Sequence, residues 1–460
     1  MIYRLLAAIL TGILLTLSFP APAFYPLVFV ALVPLFLAVK GQGWPRAFGL
    51  ALLSGSVHLS TLLYWLAGVM HRFGGFPWPA AVSLLFLLAL YLSLFMALPV
   101  ALGEGRNFFE RPSLRASLGL ALFWTLGEIL RGAGSLGFPW EPLGAALAPA
   151  PPLLRPAAYL TVYGLSFLLV GTNFLIFMAC TRRRWGLLSA VVFFWLGVYA
   201  WGLMTIPRHP PSLPLSLCLV QGNVPQEIKW NPGEDRRNLY HYLSLSRKAL
   251  SATPRLIVWP ETALTFVYPV SPLVQALQEG VRELGIPVLF GVPRVERTLS
   301  GWRLKNSAVV LAPSGEVLGI YDKEHLVPFG EYVPLVRWFP WLRKLAVASG
   351  NYAPGTGPGV IRIKGVRLGL LICFENAFPF LARKRVREGA DLLVVLTNDA
   401  WFGSSAALPQ HFYQSVLRAV ETRRYVLQVA NTGISGLIDP YGRILSRGPI
   451  NREWIACWKR

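Results

Sequence analysis

The sequence predicts two parts: a polytopic α-helical membrane domain over residues 1–205, then an α/β domain over residues 206–460 lying outside the cytoplasm. Three observations predict this. Residues 1–205 hold 12 of the 43 Lys/Arg and 4 of the 22 Asp/Glu, so the first part is lipid-like in composition and the second resembles a basic soluble domain. Seven apolar stretches of near-bilayer length lie in the first part, and the cations between them favour one side. From residue 212 the pattern changes to short apolar runs alternating with amphipathic stretches.

The whole chain is 54% hydrophobic and 14% charged, against about a quarter charged in ordinary soluble domains. Its net charge of +21 invites a nucleic-acid reading. No compact Lys/Arg run stands out in the second half and no nucleic-acid motif is present, so a basic face near anionic lipid headgroups explains the charge more simply. The four cysteines are Cys180, Cys218, Cys373 and Cys457. Their spacing gives neither a disulfide framework nor a CxxC metal site, and nothing in the sequence calls for a metal or a cofactor.

The seven stretches lie near 3–20, 23–39, 47–70, 79–102, 114–130, 156–180 and 185–205. The first has the length of a signal peptide, but six further apolar segments make it a first transmembrane helix. With a cytoplasmic N-terminus, the inner segments carry Arg4, Lys40, Arg46, Arg106, Arg111, Arg115, Arg182, Arg183 and Arg184. The outer loops carry only Arg72, Arg131 and Arg155. That bias sets the orientation. An odd number of spans then brings residue 206 out on the external side. Two polar groups lie at membrane depth, His58 and Glu128. Such groups are often functional, but helix–helix hydrogen bonding accounts for both.

In the second part the strand-like runs are 215–220, 256–259, 287–290, 308–311, 317–321, 366–372, 392–396, 426–430 and 437–439, with 453–458 as a last edge strand. Helical stretches fit 236–250, 271–285, 375–388 and 407–424. Strands alternating with helices predict a layered α/β domain. Residues 333–360 break the pattern. They contain Trp338, Phe339, Pro340, Trp341 and Leu342, then a Gly/Pro-rich run. They read either as a mobile arm whose aromatic tip dips into the membrane interface or as a buried packing loop.

Three segments carry candidate chemistry. Val258-Trp259-Pro260-Glu261-Thr262 puts a carboxylate directly after a strand, where ligands sit in α/β folds. Tyr321-Asp322-Lys323 runs on to Gly330-Glu331-Tyr332 and places Lys323 and Glu331 in one irregular segment after another strand. A lysine near a carboxylate and a thiol can hold an oxyanion or lower the thiol pKa. Leu370-Leu371-Ile372-Cys373-Phe374-Glu375-Asn376 ends an apolar strand at a cysteine, with a helix predicted just after it. Each segment alone has a bland reading: a surface glutamate, a solvated charge run, a small buried thiol.

Together, Glu261, Lys323 and Cys373 at three strand ends form the signature of the nitrilase superfamily. Trp-Pro-Glu at 259–261, Asp-Lys-x-His-Leu-Val-Pro-Phe-Gly-Glu at 322–331, Ile-Cys-Phe-Glu at 372–375 and Thr-Asn-Asp-Ala-Trp-Phe-Gly at 397–403 resemble apolipoprotein N-acyltransferases. So do Gln221-Gly222-Asn223-Val224-Pro225-Gln226 with Trp230, and Gly137-Phe138-Pro139-Trp140. The resemblance covers nearly the whole chain.

It implies a nitrilase-like αββα sandwich outside the cytoplasm, on a multi-pass protein of the bacterial inner membrane. The implied reaction moves a fatty acyl chain from a phospholipid, usually phosphatidylethanolamine, through a Cys thioester. The acceptor is the N-terminal amine of a diacylglyceryl-lipoprotein. Carried over by position, Cys373 is the nucleophile, Glu261 the general base and Lys323 the electrostatic stabiliser. Glu331 and Glu375 match acidic positions that orient Lys323 and shape the nucleophile turn, and Trp230 matches a substrate-contacting aromatic. Asn398, Trp401, Glu421 and Arg424 match scaffold positions. Two departures stand out: Phe374 replaces the family's usual tyrosine, and no apolar 20-mer follows Trp454 where well-known members carry an eighth transmembrane helix. The competing reading is a membrane-bound nitrilase-type amidase, differing only in whether water or an amine reaches the thioester.

Overall fold

The computed structural model describes residues 1–298, 301–334 and 351–460. The chain folds as two units, one of residues 1–208 with 405–421, the other of residues 209–404 with 422–460.

The first unit is helical. Its helices are α1 (Ile2–Ser18), α2 (Val33–Val39), α3 (Gly43–Leu62), α4 (Trp65–Arg72), α5 (Trp78–Gly105), α6 (Leu114–Arg131), α7 (Pro151–Leu154), α8 (Ala157–Arg182) and α9 (Gly186–Thr205). Of these, α5, α8 and α9 are long and apolar enough to cross a bilayer, and α3 with α4 makes a fourth if that pair, bent by 57°, is counted as one span. The stretch near 23–39 is a 3-10 turn, Tyr25–Phe29, followed by the short α2. Pro20, Pro22 and Pro26 remove the N–H groups that a continuous helix there would need.

Polar groups in this unit are spent on holding helices together. His58 Nδ1 lies 3.0 Å from the Thr16 hydroxyl, joining α3 to α1. Glu128 accepts from Trp124 Nε1 at 3.0 Å and from the Leu143 amide at 2.8 Å. Residues 405–421 take part in the same unit. Gln410 Oε1 accepts from the indoles of Trp65 and Trp140, at 3.2 and 2.9 Å. Helix α8 breaks at Thr161, whose φ is +66°, and the Val162 amide donates to Glu421 Oε1 at 2.7 Å. Broken backbone in an apolar helix persists only where its groups are satisfied in this way.

The second unit is a two-sheet sandwich. In chain order it contains β1 (Leu217–Gln221), α10 (Glu234–Ala249), β2 (Ile257–Val258), α11 (Leu273–Leu284), β3 (Val288–Thr298), β4 (Gly301–Leu311) and β5 (Val317–Asp322). There follow β6 (Val360–Ile363), β7 (Val366–Ile372), α12 (Pro379–Arg387), β8 (Leu392–Thr397), β9 (Tyr425–Ala430), β10 (Gly436–Ile438), β11 (Ile444–Arg447) and β12 (Trp454–Trp458), while α13 (Ala407–Thr422), between β8 and β9 in the chain, lies in the first unit apart from its last residue. One six-stranded sheet has the order β12-β1-β2-β3-β4-β5 and the other β11-β10-β9-β8-β7-β6. Leu219, Val258, Leu289 and Val310 of the first sheet meet Leu370, Ile372, Val394 and Leu427 of the second in one buried core. A second core forms where α10 and α11, through Leu239, Leu243, Leu277 and Val281, cover the other face of the first sheet. The parallel strands β7, β8 and β9 are almost wholly apolar because both faces are covered.

Three features depart from the sequence reading. The helix expected at 375–388 is a 3-10 turn, Cys373–Ala377, and then α12. Pro379 sits at the first turn of α12 and drives Phe378 into extended backbone. Strands β3 and β4 extend well beyond their apolar runs as a hairpin, across which Lys305 pairs with Glu296 at 3.4 Å, while Arg294 pairs with Asp322 at the end of β5 at 2.6 Å. Cys218 and Cys457, 239 residues apart, form a disulfide. They are directly opposed on the antiparallel β1–β12 pair, which the spacing could not reveal. The expected arm at 333–360 falls largely on residues 335–350, outside the described residues. Its far side is held: the Ala353 amide donates to Leu304 O at 2.8 Å and the Gly355 amide to Lys323 O at 2.7 Å.

The disulfide ties the last strand to the core of the unit. Reduction, or the paired Cys218→Ser and Cys457→Ser changes, should cost roughly 2–5 kcal/mol. The thermal midpoint should fall with dithiothreitol in the wild type and be insensitive to it in the double variant. Equal midpoints would remove the bond's structural role.

Candidate functional site

Each candidate catalytic side chain stands at the C-terminal end of a strand. Glu261 follows β2, where Pro260 ends the ladder. Gly291 on β3 accepts that turn at close range: a Cβ there would lie 2.6 Å from Glu261 Cα and 2.5 Å from the Thr262 amide nitrogen. Lys323 follows β5 directly and its amide donates to Asn306 O on β4 at 2.8 Å. Cys373 follows β7 with φ at +52°, a backbone region that non-glycine residues occupy only when their surroundings impose it. The sharp turn lifts the thiol off the strand end.

The acidic and basic groups form one buried cluster. Lys323 is 1% exposed. Its Nζ lies 2.9 Å from Glu331 and 3.8 Å from Glu261 Oε1. Asn306 Nδ2 bridges the two carboxylates, at 2.8 Å from Glu261 and 2.7 Å from Glu331. The other oxygens are taken by backbone: Asn398 N donates to Glu261 Oε2 at 2.7 Å and Val327 N to Glu331 Oε2 at 2.8 Å. Both carboxylates are therefore fixed as acceptors around one ammonium.

Burial pushes the Cys373 thiol well above its ordinary value; the Glu261 carboxylate adds to that rise, and Lys323 and a hydrogen bond from Thr397 oppose it. The resting sulfur is a thiol within the influence of a base and a cation. Burial works against the Lys323 ammonium, but Glu331 and Glu261 outweigh it and hold the group protonated. The cluster can thus accept a proton at Glu261, form a thiolate at Cys373 and meet developing negative charge with Lys323.

The structure brings Glu331, Glu375 and Asn398 in around these three. Asn398 also donates to Gln226 Oε1 at 2.8 Å and accepts from Asn431 at 3.0 Å, so it joins the 221–230 loop to the strand ends. Phe374 is buried, its ring edge-on to Phe378 at 5.1 Å; the residue that departs from tyrosine is an aromatic packing group here. Trp230 is half exposed on the 221–230 loop. Trp401 is partly exposed on the short 3-10 turn Asp399–Phe402. Glu421 belongs to the helical unit, and Arg424 donates to Ala390 O at 2.9 Å.

Sequence reasoning missed two buried residues that bear on Glu261, Asn306 and Lys229. Asn306 lies in Lys305-Asn306-Ser307, a polar run at the edge of an apolar strand that is itself a signal. Asn306→Ala leaves Glu261 and Glu331 each without one hydrogen bond; turnover at this site should fall about 10–100-fold in kcat, since bonds to charged groups contribute about 1.5–3 kcal/mol. An unchanged kcat would remove Asn306 from the site.

Lys229, beside Trp230, is 1% exposed and donates to the Thr262 hydroxyl at 3.1 Å. Burial lowers its pKa to about 7, with Glu261 opposing. The unfolded lysine binds its proton up to about pH 10, so between pH 7 and 10 the unfolded state holds more protons and folding gains stability as pH rises. Below pH 7 the full cost of burying the cation applies. Lys229→Met should therefore raise the thermal midpoint most at pH 6–7, with the gain shrinking toward pH 10. A midpoint that falls at every pH would refute this.

Comparisons with known proteins bear on both units. The Carbon-nitrogen hydrolase family profile matches residues 217–456, and the Apolipoprotein N-acyltransferase N-terminal domain profile matches residues 11–175. A protein of Geobacter metallireducens named apolipoprotein N-acyltransferase is 38% identical over 98% of this chain and 88% of its own length. Those of Nitrosomonas europaea and Gloeobacter violaceus are 34% and 33% identical, over 97% and 95% of this chain and 88% and 84% of theirs.

Proposed function

The chain belongs to the apolipoprotein N-acyltransferase family, an acyltransferase acting on lipoproteins, and from that premise we propose a ping-pong mechanism through Cys373. The observation that carries it is the buried Glu261–Lys323–Glu331 cluster beside a thiol on a strained turn. Glu261 takes the Cys373 proton, and the sulfur attacks the ester carbonyl of a phospholipid, with phosphatidylethanolamine as the donor. Lys323 meets the charge that develops on the carbonyl oxygen. The C–O bond breaks, the lysophospholipid leaves with the proton from Glu261, and an acyl thioester remains. The N-terminal amine of a diacylglyceryl-lipoprotein then attacks. Glu261 takes the amine proton and returns it to the departing thiolate. A free α-amine has a pKa of about 7.7–8.0, so the second step asks little of the base. Glu331 holds Lys323, and Trp230 contacts substrate.

The chain is a bacterial membrane protein by family and by its apolar helices. The finer placement is the multi-pass inner-membrane one, with the N-terminus cytoplasmic, about seven spans, and the catalytic domain outside. The cation bias between the apolar stretches supports it. So does the Cys218–Cys457 bond, since disulfides persist in oxidising compartments.

The test supplies purified full-length protein with phosphatidylethanolamine and a diacylglyceryl lipopeptide and follows the peptide's mass. One added acyl chain is expected. Release of free fatty acid without acylated peptide would favour the amidase-type hydrolase instead.

A further inference from the structure

We propose that Arg385 and Tyr321, acting through Glu375, are positioning residues that lock the lysine-bearing loop and the nucleophile turn into one register. The inference rests on Cys373 and Lys323 being the reacting pair.

Glu375 is fully buried and its carboxylate serves two backbone segments. On the nucleophile side, Oε2 accepts from the Ile372 amide at 2.7 Å, one residue before Cys373. On the lysine side, Oε1 accepts from the amides of Glu324 and His325 at 2.8 and 3.0 Å, directly after Lys323. One side chain thus fixes the residues flanking both reacting groups. The strand ends themselves belong to different sheets, β5 and β7, so no ladder hydrogen bond holds them together.

Something must keep this carboxylate charged and aimed. The Tyr321 hydroxyl lies 2.7 and 2.8 Å from its two oxygens. Arg385 Nη2 donates to that hydroxyl at 2.6 Å, and its guanidinium stacks over the Tyr321 ring at 4.7 Å. The same guanidinium bonds Leu370 O on β7 through Nε at 2.9 Å and pairs with Glu324 at 2.8 Å. Arg385 is fully buried. It reaches this position across Gly359, where a Cβ would lie 2.0 Å from the guanidinium carbon. Burial raises the Glu375 pKa, and the Ile372 amide, Arg385, the His325 amide and Lys323 oppose that rise. Without the arginine the carboxylate drifts toward a neutral form that holds the two amides less well.

Tyr321 bonds to Glu375, and Arg385 to Tyr321, to Glu324 and to the β7 backbone. Among the described residues, the charged groups that act on the Cys373 thiol include Glu261, Lys323 and Asp399, with the Thr397 hydroxyl beside them. Loosening the lysine loop therefore reaches Cys373 by weakening the Lys323 contribution.

Two readouts on the full-length protein test this in Tyr321→Phe, Arg385→Met, Arg385→Lys and Gly359→Ala. The first is the rate of iodoacetamide alkylation at Cys373 against pH, resolved from Cys180 by peptide mass. The second is N-acylation kcat and KM. Tyr321→Phe, Arg385→Met and Gly359→Ala should lower kcat about 10–100-fold, the scale of an approximately 1 Å misplacement. KM should stay within about twofold, and the alkylation profile should move up by about one pH unit. Arg385→Lys keeps the charge but loses the fork and should fall between. Gly359→Ala displaces the guanidinium without removing it and should match Arg385→Met. If Arg385→Met does not fold, Tyr321→Phe, which loses one oxygen, decides alone. Alkylation profiles that superimpose on wild type would overturn the proposal. Acylation surviving in Cys373→Ala would instead overturn the assignment of the nucleophile on which it rests.

Discussion

Cys373→Ala should abolish lipopeptide N-acylation, with a loss of kcat of at least about four orders of magnitude. The size follows from the covalent route. Without the sulfur no thioester forms, and the amine would have to attack a phospholipid ester directly, with neither the activated acyl group nor the split barrier. The protein should still fold, because Cys373 is half-buried at a turn and its sulfur carries no disulfide. Incubation with phosphatidylethanolamine alone separates the steps. Wild type should gain the mass of one acyl chain, and Cys373→Ala none. A Cys373→Ala protein that acquires an acyl chain or still modifies peptide would end the assignment.

Lys323→Met should be the most damaging change that leaves the nucleophile in place. The loss of kcat should be about 10²–10³-fold, the range for removing one preorganised oxyanion donor. Stability should suffer as well, because the ammonium is the shared partner of Glu331 at 2.9 Å and Glu261 at 3.8 Å. Removing one member of a buried charge group costs roughly 3–5 kcal/mol. The pH dependence has a definite sign. In the wild type, Lys323 is raised above its ordinary value, so its contribution is fully present below about pH 10 and is lost only above that. The stability gap between wild type and Lys323→Met should therefore hold from about pH 7 to pH 9 and narrow above about pH 10. Thermal midpoints of both proteins across that range check it, and a gap that grows above about pH 10 contradicts it.

Much of the site was legible in order along the chain. Glu261, Lys323 and Cys373 each follow a short apolar run, and such runs end where backbone leaves the core. The supporting groups were legible in different degrees. Glu331 and Asn398 came from motif resemblance. Asn306 did not: the polar run Lys305-Asn306-Ser307 marks the position, but its role appears only when folding places two carboxylates around it. Lys229 and Arg385 were invisible for a related reason: a lysine beside an exposed tryptophan and an arginine in a Lys/Arg-rich helix read as solvated charges. Their burial depends on what the loop and the helix are folded against. The apolar runs mark a shorter β3–β4 hairpin than the one that forms, because its outer residues are polar and pairing rather than hydrophobicity extends it.

By itself the sequence determined that an apolar helical part precedes an α/β part, that Glu261, Lys323 and Cys373 follow strand ends, and that cations are unevenly shared among the segments between the apolar stretches. These follow from local composition and period, which each segment carries within itself. Only the tertiary structure decided that Cys218 meets Cys457, that Asn306 joins Glu261 to Glu331, and that Glu375, Tyr321 and Arg385 join the segment after Lys323 to the turn at Cys373. Those facts depend on which strands pair and which sheets face each other. They join residues as far as 239 positions apart, and no local pattern encodes partners at that separation.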